Sequence, residues 1–202
     1  NENSETDATI RSLRGEVFMA IAIKRSAGMS TYAFIDTPHT DIVEKLHHDG
    51  IIDKEPITAK SYAASHDIFE DWALERHIEE TFQRYAIAEG QYETFYTSLG
   101  VSPAIRRAFR IWFSEKMQIV NPQANELLQS TLAETEVENH WKDEILVAIM
   151  QSPYSKTFLE ENKTFLFQDN FKYFERALFV LKVACQKLDL RYLNFFKPEK
   201  KT

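Results

Sequence analysis

The sequence contains very little cysteine, glycine or proline. Of its 202 residues, one is cysteine, five are glycine and six are proline. The single cysteine, Cys185, excludes an internal disulfide framework and a zinc site built from several cysteines. It fits a reducing compartment, and no apolar run approaches the roughly 20 residues that a membrane-spanning helix needs. We therefore expect a soluble intracellular domain.

Positive charge is also scarce. The chain has 31 acidic and 24 basic side chains, so its formal net charge is -7. Proteins that bind nucleic acid broadly use an excess of positive charge to neutralise phosphates, so the acidic balance argues against that class. Apolar residues make up 44% of the chain, which is typical of one globular domain with ample length to bury a core.

Catalytic motifs are missing as well. There is no glycine-rich dinucleotide or Walker-type loop, no His-Glu-x-x-His and no Gly-x-Ser-x-Gly. His66, His77 and His140 each have an acidic residue three or four positions away, the spacing that places two ligands on one helix face. The Glu-x-x-His motif of di-metal bundles is absent, however, and chance pairings are expected among 31 acidic residues. We therefore predict no metal, no cofactor and no catalytic residue.

The few prolines and glycines mark the expected ends of helices. Ser, Thr or Asn precedes proline at positions 37–38, 102–103, 121–122 and 152–153. Such pairs are typical of an N-cap and a first helical turn, because the cap oxygen accepts a backbone N–H and proline has none to leave unpaired. Glycine commonly closes a helix, and the expected closing residues are Gly28, Gly50, Gly90 and Gly100.

The segments between these marks repeat apolar residues with a helical period. We expect helices over residues 8–27, 38–48, 65–89, 91–99, 103–119, 153–162 and 164–188, with two more inside 122–150 broken near 134–138. A turn of helix is expected at residues 57–63, and only residues 29–36 have an extended pattern. The sequence therefore predicts an all-α bundle of eight or nine helices.

Three parts are expected along the chain: a helical extension over residues 1–60, a bundle over 61–166, and a long helix with a polar tail over 167–202. The last helix has a heptad seam of apolar residues, at Phe167, Phe171, Phe174, Leu178, Leu181, Cys185 and Leu188. Such a seam is typical of a coiled-coil or dimer face, and also of a helix laid on its own bundle. We favour packing within the chain, against the first helix, with Cys185 as a buried inert thiol.

Residues 95–112 have a superficial helix-turn-helix pattern, with Gly100 at the turn. Arg106, Arg107 and Arg110 would lie on the second helix, where such proteins contact phosphates and bases. Tyr96 is too bulky for a position that needs a small residue in this motif. We interpret the arginines as a cationic patch that contacts another protein.

Residues 68–165 resemble the regulator of G-protein signalling (RGS) domain in the order and spacing of short motifs. Residues 82–96 (FQRYAIAEGQYETFY) look like the early Phe-x-x-Phe…Glu-Asn-x-x-Phe-Trp segment of that family. Ala108 and Ile111, followed by Val120-Asn121, resemble its Ala-x-x-Ile helix and Val-Asn loop. Residues 152–159 (SPYSKTFL) are similar to its Asp-Ser-Tyr-x-x-Phe-Leu turn.

The resemblance implies an RGS-like fold and a partner, the GTP-bound α subunit of a heterotrimeric G protein. RGS domains do no covalent chemistry; they hold the switch segments of the α subunit in the shape of the hydrolysis transition state. The implied location is cytoplasmic, with the inner membrane surface reached through the partner. The implied partner-binding residues are Glu89, Glu93, Thr94, Val120, Asn121, Ser152 and Lys156.

Departures from the family pattern leave other interpretations open. Thr94 stands near the family's first Asn, Ser152 replaces an acidic residue, and Lys156 is adjacent to the position of a missing Arg. A scaffold domain without GTPase-activating activity therefore stays an alternative. Asn121 matches the Asn that reaches toward the partner's water-positioning Gln, but an N-cap role before Pro122 would equally explain it.

A helical enzyme similar to the haem oxygenase or TenA group is a further alternative. Its only hint is Phe167-Gln168-Asp169 with Tyr173 in one helix. It predicts a buried polar pocket lined by Tyr, Glu and His.

Overall fold

A computed structural model of the chain describes residues 2–58, 60–118 and 121–184. Within these ranges the chain forms ten α-helices and three short strands, so the expected all-α bundle is confirmed. The helices are α1 (Glu2–Gly28), α2 (Thr40–His48), α3 (Asp67–Thr81), α4 (Tyr92–Leu99), α5 (Pro103–Lys116), α6 (Pro122–Ala133), α7 (Asn139–Gln151), α8 (Ser155–Glu161), α9 (Lys163–Leu166) and α10 (Lys172–Ala184). No helix in the described part of the chain combines the length and apolarity needed to cross a bilayer.

Two of the expected N-caps are confirmed. Ser102 Oγ accepts a hydrogen bond from the backbone N–H of Ile105 at 3.3 Å, and Asn121 Oδ1 accepts one from Gln123 at 3.0 Å. The cap expected at residue 37 is wrong, because α2 begins only at Thr40. At residues 152–153 the helix also begins later than expected, at Ser155.

A small antiparallel sheet is the main departure from the expected helices. Its strands are β1 (Ala33–Phe34), β2 (Ile52–Lys54) and β3 (Ser61–Ala64), in the spatial order β1-β3-β2. The extended pattern at residues 29–36 is confirmed in β1, but the helical turn expected at residues 57–63 is wrong, because that segment leads into β3. The predicted boundary at residue 60 would separate β3 from the two strands that it pairs with.

The core consists of two clusters of buried side chains. The smaller lies between α1, α2 and the sheet and includes Val17, Ile21 and Ile52. The larger fills the bundle, where Trp112 contacts Phe82 and Phe109 with ring centroids 5.2 and 5.6 Å apart. Each fully buried side chain of this size contributes about 1.5–3 kcal/mol by leaving water, so these rings dominate the stability of the bundle.

The helix that begins with α3 changes its winding before it ends. Residues Phe82–Ile87 continue α3 as a π-helical turn, in which Phe82 and Ala86 are buried. A π turn carries about one residue more than an α turn, so it rotates the following residues around the helix axis. The expected helix over residues 65–89 is thus present with a wider final turn.

The long helix expected over residues 164–188 is interrupted. After α9, a 3₁₀ turn spans Asp169–Phe171, and its residues have φ values of +50°, +55° and +66°. A left-handed conformation is costly for residues with a Cβ atom, and it ends a right-handed helix. The seam of apolar residues therefore begins outside α10.

The packing expected for that seam is also wrong. α10 packs mainly on α7 and buries Tyr173, Ala177 and Val180, whereas Leu178 and Leu181 of the seam are exposed. The predictions for Cys185, for Leu188 and for the polar tail fall outside the described residues.

Candidate functional site

α3 and α5 run in the same direction. Arg107 Nε of α5 donates to Asp71 Oδ1 near the start of α3 at 2.8 Å. Farther along both helices, Lys116 Nζ lies 2.7 Å from Glu79 Oε2. The residue numbers rise together along the two helices, so α3 and α5 are parallel and end on the same side of the bundle.

α5 and α7 are parallel for the same reason. Arg110 Nε of α5 lies 2.9 Å from Glu144 Oε2 of α7. Toward the end of both helices, Ser114 Oγ donates to Ser152 Oγ at 3.0 Å. The segments that follow α3, α5 and α7 therefore emerge at one end of the bundle. We call residues 88–91, residues 117, 118 and 121, and residues 152–156 the rim.

The first rim segment is a tight turn. Gly90 has φ +66°, in the left-handed region that glycine adopts without steric cost. Its N–H donates to Ala86 at 3.1 Å, and the N–H of Gln91 donates to Tyr85 at 2.9 Å, which closes the helix. Glu89 is exposed at this turn. The turn thus holds an acidic side chain at the end of the bundle.

The second and third rim segments meet at a small cleft. Asn121 is half-buried and lines a cleft of about 90 Å³ together with Gln118, Tyr154, Thr157 and Glu161. Since Asn121 Oδ1 caps α6, only the amide nitrogen of this side chain is left to donate to a partner. Val120 belongs to the same segment but lies outside the described residues.

Two further predicted residues lie in the third segment. Ser152 is buried, and its Oγ accepts hydrogen bonds from Ser114 and from the backbone N–H of Tyr154. The Ser152 side chain therefore stabilises the turn between α7 and α8 from its buried side. Lys156 is exposed in the first turn of α8, so its ammonium group can reach a partner at the rim.

The structure does not bring Glu93 to the rim. Its side chain lines a separate cleft of about 130 Å³ with Glu136, Glu138 and Trp141, next to the connection between α6 and α7. Burial raises the pKa of nearby Glu134, and the charge of Glu93 adds to the increase. Thr94 is half-buried in the first turn of α4.

The carboxylate of Glu79 joins the ends of α3 and α5 next to the rim. Glu79 accepts hydrogen bonds from Trp112 Nε1 at 2.7 Å, from Gln83 Nε2 at 2.9 Å and from Lys116 Nζ at 3.0 Å. Burial alone would raise the pKa of Glu79, but these donors outweigh it and lower the pKa. The network fixes the end of α3 to the end of α5.

The arginines of the helix-turn-helix pattern are engaged within the chain. Arg107 pairs with Asp71 and lies 3.7 Å from Glu70, while Arg106 and Arg110 both contact Glu144. These pairs join α5 to α3 and to α7. The three arginines are thus paired within the chain but still partly exposed, so their contact with another protein stays a prediction, and the pairing makes them less suited to reading DNA.

The sites of the remaining interpretations are not formed in the described part of the chain. No group of three or more His, Cys, Asp or Glu residues there is arranged to hold a metal ion. An open groove of about 490 Å³ lies between α7 and α10 and is lined partly by Lys142, Tyr173 and Arg176. Phe167 and Asp169, expected in a helix of an enzyme site, are exposed outside the helices.

Sequence reasoning missed the other side chains of the Asn121 cleft. Tyr154 lies within the segment SPYSKTFL, but its role in closing the cleft depends on where α8 turns back toward α5. Gln118 and Glu161 carry no motif at all. Only the three-dimensional packing of α8 brings them together.

No protein-family model matches the sequence, and no curated protein has a significant match to it. Function must therefore be inferred from the residues and geometry of the chain itself.

Proposed function

We propose that this chain is an RGS-like interaction domain whose rim binds the GTP-bound α subunit of a heterotrimeric G protein and accelerates GTP hydrolysis. The observation that supports the proposal is the common direction of α3, α5 and α7, which brings three separate segments to one end of the bundle. Loops held by rigid helices are suited to fixing the loops of another protein in one shape.

Asn121 has the central role in this proposal. Its Oδ1 atom caps α6, so the side chain is held in one orientation and its amide N–H groups are the available donors. A donor fixed in this way would hold the water-positioning Gln of the partner in its active rotamer. Acceleration would then come from preorganisation of the partner's own site.

Glu89 and Lys156 add opposite charges to two sides of the rim. Exposed charges of this kind contribute only about 0.2–1 kcal/mol each to affinity, but they orient a charged partner during association. The second candidate function is binding without acceleration. Buried Ser152 favours it, because this residue offers no acidic side chain where the family has one.

The first experiment measures affinity of the full chain for α subunits in three nucleotide states: GDP, GDP with aluminium fluoride, and a slowly hydrolysed GTP analogue. We expect the aluminium fluoride state to bind at least about tenfold more tightly than the GDP state. Lys156→Glu should weaken this binding. Lys45→Glu, the same charge change on exposed Lys45 of α2, is the matched control and should not. Equal affinity for all three states, across a panel of α subunits, would contradict the proposal.

The second experiment separates the two roles of Asn121 by single-turnover GTP hydrolysis and urea unfolding. Asp and Ser are good N-caps, so Asn121→Asp and Asn121→Ser should keep the stability of the chain while removing the amide donor. We expect both to lose most of the acceleration. Asn121→Ala should also lower the free energy of unfolding, by about 0.5–2 kcal/mol. Acceleration that falls only in the Ala variant would show that Asn121 acts through the fold alone.

A further inference from the structure

The outer surface of α10, together with Phe171 in the turn just before it, exposes several large apolar side chains. Phe171 is 54% exposed, Leu178 48%, Phe179 60%, Leu181 45% and Val183 63%. Single exposed apolar residues are common on soluble proteins, but a group along one helix marks a surface that another body covers.

Part of this surface has the geometry of a helix-pairing seam. Phe174, Leu178 and Leu181 follow one another at intervals of four and three residues along α10. The buried face of α10 lies to one side of this seam, because Tyr173, Ala177 and Val180 pack into the bundle. A heptad seam left open in this way pairs with another seam of the same spacing.

The charges beside the seam indicate which partner fits. Glu175 and Lys182, seven residues apart, flank it on the solvent side, and the small residue Ala177 flanks the other side. If a second α10 lies antiparallel, with Leu178 of each copy against Leu181 of the other, Glu175 of each copy faces Lys182 of the other. A parallel pair would bring no opposite charges together, since the positions that meet across it hold alanine on one helix.

We propose that α10 mediates a symmetric dimer of this chain through antiparallel pairing of its exposed seam. A two-fold interface needs a self-complementary surface, and a seam with one acid and one base placed symmetrically about its centre meets that need. In the sequence the spacing continues at Cys185 and Leu188, outside the described residues.

The first half of α10 is fixed to the end of α7 that lies away from the rim. Arg176 of α10 donates to Asp143 at 2.9 Å and to Asn139 at 3.1 Å, both in the first turns of α7, the end away from the rim. The dimer is measured without any G protein, so its failure and the failure of the proposed function are distinguishable. A contact made by one helix of 13 residues from each copy is short, so we expect a dissociation constant in the micromolar range.

The test is analytical ultracentrifugation of the full chain from about 1 to 200 μM, a range that spans micromolar association. We expect a monomer–dimer equilibrium, and Leu178→Asp should raise the dissociation constant at least about tenfold, because a carboxylate cannot be buried between apolar residues. Ile57→Asp, which changes a side chain 94% exposed near the sheet, is the control and should leave it unchanged.

A charge swap tests the orientation of the two helices. Glu175→Lys and Lys182→Glu should each weaken the dimer about two- to tenfold by placing like charges opposite each other, and the double variant should restore it. A chain that stays monomeric throughout the concentration range would overturn the proposal. So would a monomer that binds vesicles of anionic lipid through Leu178, since the face would then contact membrane.

Discussion

Asn162 donates its side-chain amide to the amide oxygen of Asn125 at 2.7 Å, and this bond fastens the junction of α8 and α9 to α6. Asn162 is only 2% exposed, yet its polar atoms are all engaged. A second amide hydrogen is donated to the carbonyl of Phe158 at 3.0 Å, and the Asn162 oxygen faces Gln129 Nε2 at 3.4 Å. The position requires two donors and one acceptor, which only an amide side chain provides.

Asn162→Asp is therefore expected to destabilise the chain. A carboxylate has no hydrogen to donate to Asn125 or to the Phe158 carbonyl, and it would be buried as an uncompensated charge. We expect a loss of about 2–4 kcal/mol in the free energy of unfolding, measured in urea at pH 7. The matched control is Asn170→Asp at an exposed turn, where the change should stay within about 0.5 kcal/mol. Equal effects at both positions would contradict the hydrogen-bond argument.

Removing the charge of Glu75 should stabilise the protein at alkaline pH. Burial, together with the charges of Glu115 and Asp71, raises the pKa of Glu75 to about 7. In the unfolded chain this pKa returns to about 4.5, so the ionised carboxylate costs folding energy at high pH and nothing at low pH.

We expect Glu75→Gln to raise the free energy of unfolding by roughly 1–2 kcal/mol at pH 8, a gain that fades as the pH falls from 7 to 4.5 and is absent at pH 4. Urea unfolding across this range measures it. The control is Glu160→Gln, which removes an exposed carboxylate of α8 and should show no such gain. A gain of the same size at pH 4 would mean that the charge of Glu75 is not its cause.

Glu79 should show the opposite dependence on pH. Its pKa is lowered despite burial, by hydrogen bonds from Lys116, Gln83 and Trp112, so the folded state favours the ionised form. The stability that it contributes is present above its unfolded pKa and is lost as the pH falls through its folded pKa.

We expect Glu79→Gln to lower the free energy of unfolding by about 1 kcal/mol at pH 7, because the partly exposed pair is screened by water. The deficit should shrink at acid pH, where the native carboxyl is protonated as well. Glu80→Gln, which breaks an exposed pair with Arg76, is the control and should cost no more than about 0.5 kcal/mol. A deficit that stays constant with pH would assign the effect to packing.

The helices and two of their caps could be predicted because the signals are local. Ser102 and Asn121 each satisfy a backbone N–H two or three residues away, and no distant part of the chain is involved. The break between α6 and α7 was likewise predicted near residues 134–138.

The sheet and the outer face of α10 could not be predicted in the same way. β3 has four residues, too few to establish an alternating pattern, and it is defined by its pairing with β1 and β2. The seam of α10 has the same spacing whether it is covered or exposed, so the face that α10 turns inward depends on its packing against α7 and on the left-handed turn that precedes it. The order of the segments suggests the rim, whose role stays a prediction. The burial of Ser152 and the position of Glu93 in a separate cleft depend on packing and could not be read from the sequence.

The first helix supplies Val17 and Ile21 to the cluster beneath the sheet, and Ala22, the next residue, to the bundle. Adjacent residues of this one helix therefore pack into both clusters of the core. A displacement of the sheet would therefore shift the segment of α1 that also packs against the bundle. We expect the sheet and the bundle to unfold together for this reason.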